Sequence, residues 1–229
     1  YEEQGADEIV MLDVSATTEG RAAATRTVQA IRQVLSIPLT VGGGVGSLED
    51  AARLLDAGAD KVSVNSAAVR DPALLTRLAT RFGRQCTVLA IDAARSGNAY
   101  HVLTRSGTNQ ESLDAVAWAV EGEARGAGEI LLTSFDRDGT GEGYDLDLLT
   151  AISASVSIPV IASGGAQTAF HLAAAVRAGA DAVLAASIFH DGRTTPDAIK
   201  RELSSLGINV RPADSTLGAA SAGALGGVA

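Results

Sequence analysis

The sequence predicts an α/β fold, a (β/α)8 barrel of the TIM type that is built from two similar half-barrels, with seven of its eight strands present. Three observations predict it. Short apolar runs alternate with longer stretches of helical pattern, as in a chain of βα units. Hydrophobic residues make up 46% of the 229 residues but aromatic residues only 3%, which is typical of parallel strands covered by helices. The chain also repeats itself at a fixed interval.

The short apolar runs are predicted to be the strands of a parallel sheet. Seven such strands are predicted, at residues 8–13, 39–41, 61–65, 87–92, 129–133, 160–163 and 182–185. Segments rich in Ala, Leu and Arg lie between them and are predicted helices, for example 47–56 and 112–125. A short hairpin is predicted at 100–108, in the loop after the strand that ends at Asp92.

The repeat defines the two halves and the expected domain. Residues 37–44 align with 158–165, and residues 57–60 align with 178–181; both pairs are separated by 121 residues (158 − 37 and 178 − 57), the length of about four βα units. The counterpart of the strand that ends at Asp92 would end at position 92 − 121, so we expect the first βα unit to be missing. The predicted barrel covers residues 1–211, and a flexible tail rich in Gly, Ala and Ser covers residues 212–229.

Charge and composition exclude several classes of function. Eighteen basic and 27 acidic residues give a net charge of −9, which argues against a general surface for nucleic acid or anionic membranes. A locally held anionic ligand remains compatible with this charge. The single cysteine excludes an internal disulfide and a metal site of clustered cysteines. Without a membrane-length apolar run or a signal-peptide pattern, the sequence predicts a cytoplasmic protein.

Two glycine-rich loops are predicted to bind phosphate. Gly44 follows one strand and Gly165 follows its repeat mate, and glycine there lets backbone amides approach a ligand. The next strand in each half leads to Asn65-Ser66 or to Ser187, and each serine follows its glycine by 22 residues (66 − 44 and 187 − 165). The glycines could instead form tight turns only, but two copies in register favour two phosphate cradles. Cradles on opposite sides of one barrel predict a substrate with a phosphate at each end.

Carboxylates at the carboxyl ends of the predicted strands are the candidates for proton transfer. Asp92 and Asp13 each end an apolar run, and Asp136 and Asp138 follow another. Barrel enzymes carry their chemistry on this face, where a buried carboxyl can act as a general acid or base. Asp92 is the strongest candidate from the pattern alone. Asp138-Gly139 is equally typical of an ordinary turn.

Charged residues also lie at the opposite ends of the strands. Glu8 and Glu129 are repeat mates, and Lys61 begins a strand between them. From the residues alone, the favoured interpretation is a set of ion pairs that closes the floor of the barrel. The three histidines lack the spacing of metal ligands, so no metal site is predicted.

Several segments together resemble the cyclase subunits of imidazole glycerol phosphate synthase, a family of histidine biosynthesis. They are TVGGG at 40–44, ADKVSVN at 59–65, AIDA at 90–93, GAGEILLTS at 126–134 and ASGGA at 162–166. The most specific is DRDGT at 136–140, followed by GYD at 143–145. The sister isomerase of the pathway, a similar half-repeated barrel, usually differs at both of these places. The resemblance runs from residue 1 to about residue 211.

The resemblance implies an activity and a set of site residues. Ammonia would close a ring on a bisphosphorylated formimino-carboxamide ribonucleotide, giving imidazole glycerol phosphate and an aminoimidazole carboxamide ribonucleotide without a metal or organic cofactor. Asp92 would be one of two catalytic aspartates. The implied substrate contacts are Gly44, Asn65 and Ser66 in one half, Asp138, Gly139, Gly165 and Ser187 in the other, and Asp13, Thr133 and Ser163 as further active-site positions. Glu8, Lys61 and Glu129 match a charged gate where ammonia from a glutaminase partner, bound as a heterodimer, would enter the barrel floor.

Some features of the family pattern are absent from this chain. The second catalytic aspartate and a loop lysine belong to the first βα unit, and a fourth gate residue, an arginine, belongs near the family's N-terminus. Ala94 stands where the family usually has lysine. We therefore expect little turnover from the chain as written. Two alternatives stay open, which are the sister isomerase and a barrel that binds phosphate without catalysing a reaction.

Overall fold

A computed structural model describes residues 1–12 and 18–212. Its strands are β1 (Ile9–Leu12), β2 (Leu39–Gly42), β3 (Lys61–Val64), β4 (Thr87–Ser96), β5 (Ala99–Thr104), β6 (Asn109–Asp114), β7 (Glu129–Ser134), β8 (Val160–Ser163) and β9 (Ala182–Val183). Seven of them pair in parallel in the order β1-β2-β3-β4-β7-β8-β9. β5 and β6 branch from β4 as an antiparallel hairpin. This sheet confirms the predicted fold class, with seven strands of a (β/α)8 barrel.

Helices cover the sheet and bury a core of small and branched side chains. They are α1 (Thr18–Arg32), α2 (Leu48–Asp56), α3 (Ser66–Arg70), α4 (Ala73–Phe82), α5 (Ala115–Ala124), α6 (Leu146–Ser153), α7 (Ala169–Arg177), α8 (Ser187–His190) and α9 (Pro196–Ser205). Trp118 of α5 is the largest fully buried side chain of this core. No helix within the described part of the chain is both long and apolar enough to cross a membrane.

The two halves repeat their contacts as well as their sequence. Ser47 caps α2 and Thr168 caps α7, each by accepting a hydrogen bond from an amide in the first turn. The Asp60 carboxylate accepts from the first amide of β2 at 2.8 Å, and Asp181 accepts from the first amide of β8 at 2.9 Å. Both pairs keep the offset of the sequence repeat, so the same polar contacts fix the start of equivalent strands and helices.

The structure corrects the prediction around the hairpin. The hairpin predicted at 100–108 extends from Ala99 to Asp114, and β4 continues past Asp92 to Ser96 because it pairs with β5. The helix predicted from residue 112 begins only at Ala115, since residues 112–114 complete β6. Asp114 caps that helix by accepting from the Ala117 amide at 2.9 Å. The last predicted strand, 182–185, is also shorter and covers only Ala182–Val183.

Two predicted features lie outside the described residues. They are the candidate site residue Asp13 and residues 213–229, which make up almost all of the predicted tail. The barrel over 1–211 and the tail over 212–229 therefore stay a prediction.

Candidate active site

The carboxyl ends of the parallel strands bring four predicted site residues together. In the register of the sheet, Asp92 of β4 lies beside Thr133 of β7, and Thr133 lies beside Ser163 of β8. Asn65 follows β3 directly, and its side-chain nitrogen donates to Asp92 Oδ2 at 2.9 Å. The four side chains therefore line the same face of the barrel, around the Asp92 carboxyl.

The Asp92 carboxyl has a raised pKa. Burial raises it above the ordinary value for aspartate, and the nearby charge of Asp138 acts in the same direction. Hydrogen bonds from Asn65 and Thr133 oppose the rise without cancelling it. A carboxyl in this environment can exchange a proton closer to neutral pH than a solvated aspartate can.

The first glycine loop follows β2 and leads into α2. Gly44 has φ 66°, a backbone conformation that strains any side chain. The pairing of β2 with β3 extends to Gly42, so this loop and the segment Asn65-Ser66 leave neighbouring strands at the same face. Ser66 begins α3, and its Oγ accepts from the backbone nitrogen of Arg105 at 2.9 Å.

The second glycine loop packs on the segment that carries Asp138 and Gly139. Gly165 has φ 93°, and a Cβ on it would lie 2.3 Å from the carbonyl oxygen of Gly143. A Cβ on the preceding glycine would lie 3.5 Å from Asp138 Cα. Only glycine fits this approach of two backbones, which brings Gly165, Asp138 and Gly139 together. Ser187 begins α8 after the neighbouring strand β9.

Three charged residues meet at the opposite face of the barrel. Lys61 Nζ lies 3.0 Å from Glu8 Oε2 and 2.7 Å from Glu129 Oε1, and Thr40 Oγ1 donates to Glu8 at 2.5 Å. Burial by itself would lower the pKa of the Lys61 ammonium, but the hydrogen bonds and charges of Glu129 and Glu8 raise it above its ordinary value. Lys61 is therefore held in its charged form between two acids.

A polar column on β3 connects the two faces, and sequence reasoning missed its middle member. Alternate residues of a strand share one side, so Lys61, Ser63 and Asn65 line one side of β3 and its carboxyl end. Lys61 lies at the floor and Asn65 at Asp92. Ser63 lies between them, and its Oγ is buried without a hydrogen-bond partner among the described residues. The alternating Lys-Val-Ser-Val-Asn pattern could have indicated this column.

The described residues do not form a metal-binding cluster. Across residues 1–12 and 18–212, no group of three or more His, Cys, Asp or Glu side chains could hold a metal ion. The chemistry that these residues offer is proton transfer at Asp92, backbone amides at the glycine loops and a charged floor.

Comparison with known proteins identifies the family. A family model described as histidine biosynthesis protein matches residues 1–195. The chain belongs to this histidine biosynthesis protein family.

Curated relatives of this histidine biosynthesis protein are named imidazole glycerol phosphate synthase subunit HisF. The relative from Pyrobaculum aerophilum is 56% identical over 211 residues, which is 92% of this chain and 83% of the relative. The relative from Myxococcus xanthus is 55% identical over 212 residues, 92% of this chain and 84% of the relative. The one from Corynebacterium urealyticum is 56% identical over 206 residues, 89% of this chain and 81% of the relative. These matches confirm the predicted resemblance to the cyclase subunits.

Proposed function

We propose that this chain is the cyclase subunit of an imidazole glycerol phosphate synthase, a lyase of histidine biosynthesis. With ammonia, it converts a bisphosphorylated formimino-carboxamide ribonucleotide to imidazole glycerol phosphate and an aminoimidazole carboxamide ribonucleotide. The observation that carries this proposal is the position of Asp92. Its buried carboxyl lies between two glycine loops at the face where barrels of this type carry their active sites.

Asp92 transfers protons in this mechanism. Ammonia adds to the ketone of the ribulosyl group, whose oxygen leaves as water. The added nitrogen then bonds to the formimino carbon, and the bond from that carbon to the amino nitrogen of the carboxamide ribonucleotide breaks, which closes the imidazole ring and releases the ribonucleotide. In its protonated form Asp92 donates a proton to the ketone oxygen as ammonia adds, and in its ionised form it accepts one from the added nitrogen. The raised pKa favours this role, because burial brings the protonated form of Asp92 closer to the operating pH than that of a solvated aspartate.

The two glycine loops hold the two phosphates of the substrate. Anchoring both ends places the reacting centre over the barrel mouth, beside Asp92. Glycine supports this function because it lets the backbone amides come close to the phosphate oxygens. The proposed contacts are Gly44, Asn65 and Ser66 at one phosphate and Asp138, Gly139, Gly165 and Ser187 at the other, with Asp13, Thr133 and Ser163 as further substrate-binding positions.

The charged floor is the proposed entry for ammonia. Glu8, Lys61 and Glu129 close the floor, and a glutaminase subunit bound there, as the second member of a heterodimer, would deliver ammonia to them. Lys61 is the movable member, because a long lysine side chain can leave its carboxylate partners without a backbone change. The buried Ser63 hydroxyl offers ammonia a hydrogen-bond partner on the way to Asp92. We assign the enzyme to the cytoplasm.

A turnover assay of the full gene product tests this function. We expect the bisphosphate to be consumed in the presence of an ammonium salt, with equal amounts of the two products. Glutamine should replace the ammonium salt only when the glutaminase subunit is added. Isomerase activity without ammonia-dependent cyclisation would overturn the proposal, and so would binding of the bisphosphate without any turnover.

A further inference from the structure

The hairpin β5–β6 has no role in the mechanism above, although it grows from the strand that carries Asp92. Asp92 itself pairs with Leu103 of β5, and Ser96 pairs with Ala99. The hairpin therefore continues β4 beyond the end of the parallel sheet, on the side of the barrel where both glycine loops lie.

One part of the hairpin contacts the first phosphate cradle, which consists of Gly44, Asn65 and Ser66. The backbone nitrogen of Arg105 donates to Ser66 Oγ at 2.9 Å, and the carbonyl oxygen of Leu103 accepts from the side-chain nitrogen of Asn65 at 3.3 Å. Arg105 and the next residue, Ser106, have φ of 52° and 55°. Non-glycine residues keep such a conformation where surrounding contacts hold it. Asn65 and Ser66, two proposed phosphate contacts, are thus fixed by the hairpin.

Another part of the hairpin contacts the loop that carries Asp138 and Gly139. The ring of Phe135 packs on the hairpin tip so closely that a Cβ on Gly107 would lie 2.1 Å from its Cε2 atom. Arg95 of β4, which pairs with Tyr100 of β5, donates from its backbone nitrogen to Asp136 Oδ2 at 2.7 Å. The loop of the second phosphate cradle, which consists of Asp138, Gly139, Gly165 and Ser187, is therefore held at two points, Phe135 and Asp136.

Tyr100 ties the hairpin to the helix that follows this loop. The Tyr100 hydroxyl donates to Asp145 Oδ1 at 2.9 Å, and the same oxygen caps α6 by accepting from the Leu148 amide at 3.1 Å. The Arg95 guanidinium lies 4.6 Å from the centre of the Tyr100 ring and donates to its hydroxyl oxygen. Burial, together with Asp145, raises the pKa of Tyr100 to about 12. The hydroxyl is consequently a neutral donor across the physiological pH range.

We propose that the hairpin β5–β6 is a positioning element that holds the two phosphate cradles in a fixed relation, with Tyr100 as its latch on the second cradle. This inference rests on the proposed function and deepens it, because a substrate with a phosphate in each cradle binds only when both cradles are in place together. Without the latch, the segment 135–145 would have to be ordered during binding, which costs affinity. Tyr100 is a positioning residue and takes no part in proton transfer.

The test is a hydroxyl deletion with two matched variants. Tyr100→Phe keeps the ring, and we expect the Michaelis constant for the bisphosphate to rise about tenfold, equivalent to about 1.4 kcal/mol, with kcat and its pH profile unchanged. Asp145→Asn keeps an oxygen that accepts from Tyr100 and caps α6, so it should retain most of the affinity. Ser205→Ala removes an exposed hydroxyl that donates to the Glu202 carbonyl oxygen within α9, and it should leave the Michaelis constant unchanged.

Amide hydrogen exchange gives a readout that does not depend on turnover. Faster exchange over residues 135–145 in Tyr100→Phe, with Ser205→Ala equal to the wild type, supports the latch, and unchanged exchange there overturns it. An unchanged Michaelis constant also overturns it, as does a lower kcat with a shifted pH profile, which would place Tyr100 in proton transfer. If the wild type neither binds nor converts the bisphosphate, the proposed function fails, whereas the exchange experiment still decides whether the hairpin holds the loop.

Discussion

Replacing Asp92 by asparagine tests the centre of the proposed mechanism with a minimal change of shape. The new side chain keeps an oxygen that can accept from the Asn65 nitrogen, now 2.9 Å from the carboxylate, so the packing of the site should survive. Only the transferable proton is lost. A positioned general acid or base contributes about 10²–10⁴ in rate, which is about 2.7–5.4 kcal/mol of barrier at 1.36 kcal/mol per decade. We expect kcat to fall by that factor with the Michaelis constant unchanged.

The raised pKa of Asp92 gives a second readout, in stability. Burial makes the folded protein bind this proton more tightly than the unfolded chain does. Wild-type stability should therefore fall as pH rises from the ordinary aspartate range through the raised pKa of the native state. At a pH above the pKa of Asp92 in both the folded and the unfolded state, the wild type carries the full cost of a buried carboxylate, which the asparagine variant lacks. We expect Asp92→Asn to be the more stable protein at neutral pH and the difference to shrink in acid.

Two measurements check these expectations. Steady-state turnover of the full gene product with an ammonium salt gives kcat, and urea unfolding at several pH values gives the stability difference. Asp71→Asn, which removes an exposed ion pair with Arg77, is the control and should leave kcat unchanged. An Asp92→Asn kcat within about threefold of the wild type would lie far below the effect of a general acid or base and refute the assigned role. A stability difference independent of pH would refute the buried carboxyl.

Three further predictions concern the charged floor, the second phosphate cradle and the polar column on β3. Lys61→Met removes the counter-ion of two partly buried carboxylates. We expect the free energy of unfolding in urea to fall by about 2 kcal/mol, which is less than the ~3–5 kcal/mol of a fully buried pair. An unchanged free energy of unfolding would mean that solvent screens the ion pairs. Gly165→Ala should cost more than the ~1–2 kcal/mol of a positive φ alone, because its Cβ would meet a carbonyl oxygen at 2.3 Å. Gly207→Ala, with φ 76° and no described atom within 4 Å of its Cβ, should lose only the backbone contribution, and equal losses in urea would contradict the steric argument. Ser63→Ala should raise the Michaelis constant for ammonia about threefold, within the range for one weak hydrogen bond, and leave that for the bisphosphate unchanged; the reverse pattern would place Ser63 at the substrate.

The parallel strands and the repeat could be predicted because local sequence carries their physical cause. A buried parallel strand needs a continuous run of branched side chains, and such runs occur at β2 and β8 in equivalent positions. The loops after these strands need positive φ, which the sequence records as glycine at Gly44 and Gly165. Asp92 and Asn65 come together because the carboxyl ends of the neighbouring parallel strands β3 and β4 meet at one face.

A short hairpin could be predicted, but its full extent and its contacts could not, because these contacts join distant parts of the chain. Tyr100 and Asp145 are 45 residues apart, and nothing in either local sequence indicates the other. Residues 112–114 have a helical neighbourhood but form β6, because pairing with β5 satisfies their backbone groups. The register of the hairpin, and with it the link between the two cradles, becomes visible only in three dimensions.

Trp118 is an internal fluorescence reporter for the half-barrel that contains β4 and β5. It is the only tryptophan of the sequence, it is 1% exposed, and its Nε1 is buried with no hydrogen-bond partner in the described part of the chain. Such an indole emits at short wavelength and shifts to the red when water reaches it. The helix α5 that carries it packs against β4 and β5, so its emission follows the strand of Asp92 and the hairpin. Circular dichroism follows all helices, and comparing the two signals during unfolding distinguishes half-barrels that open together from halves that open in turn.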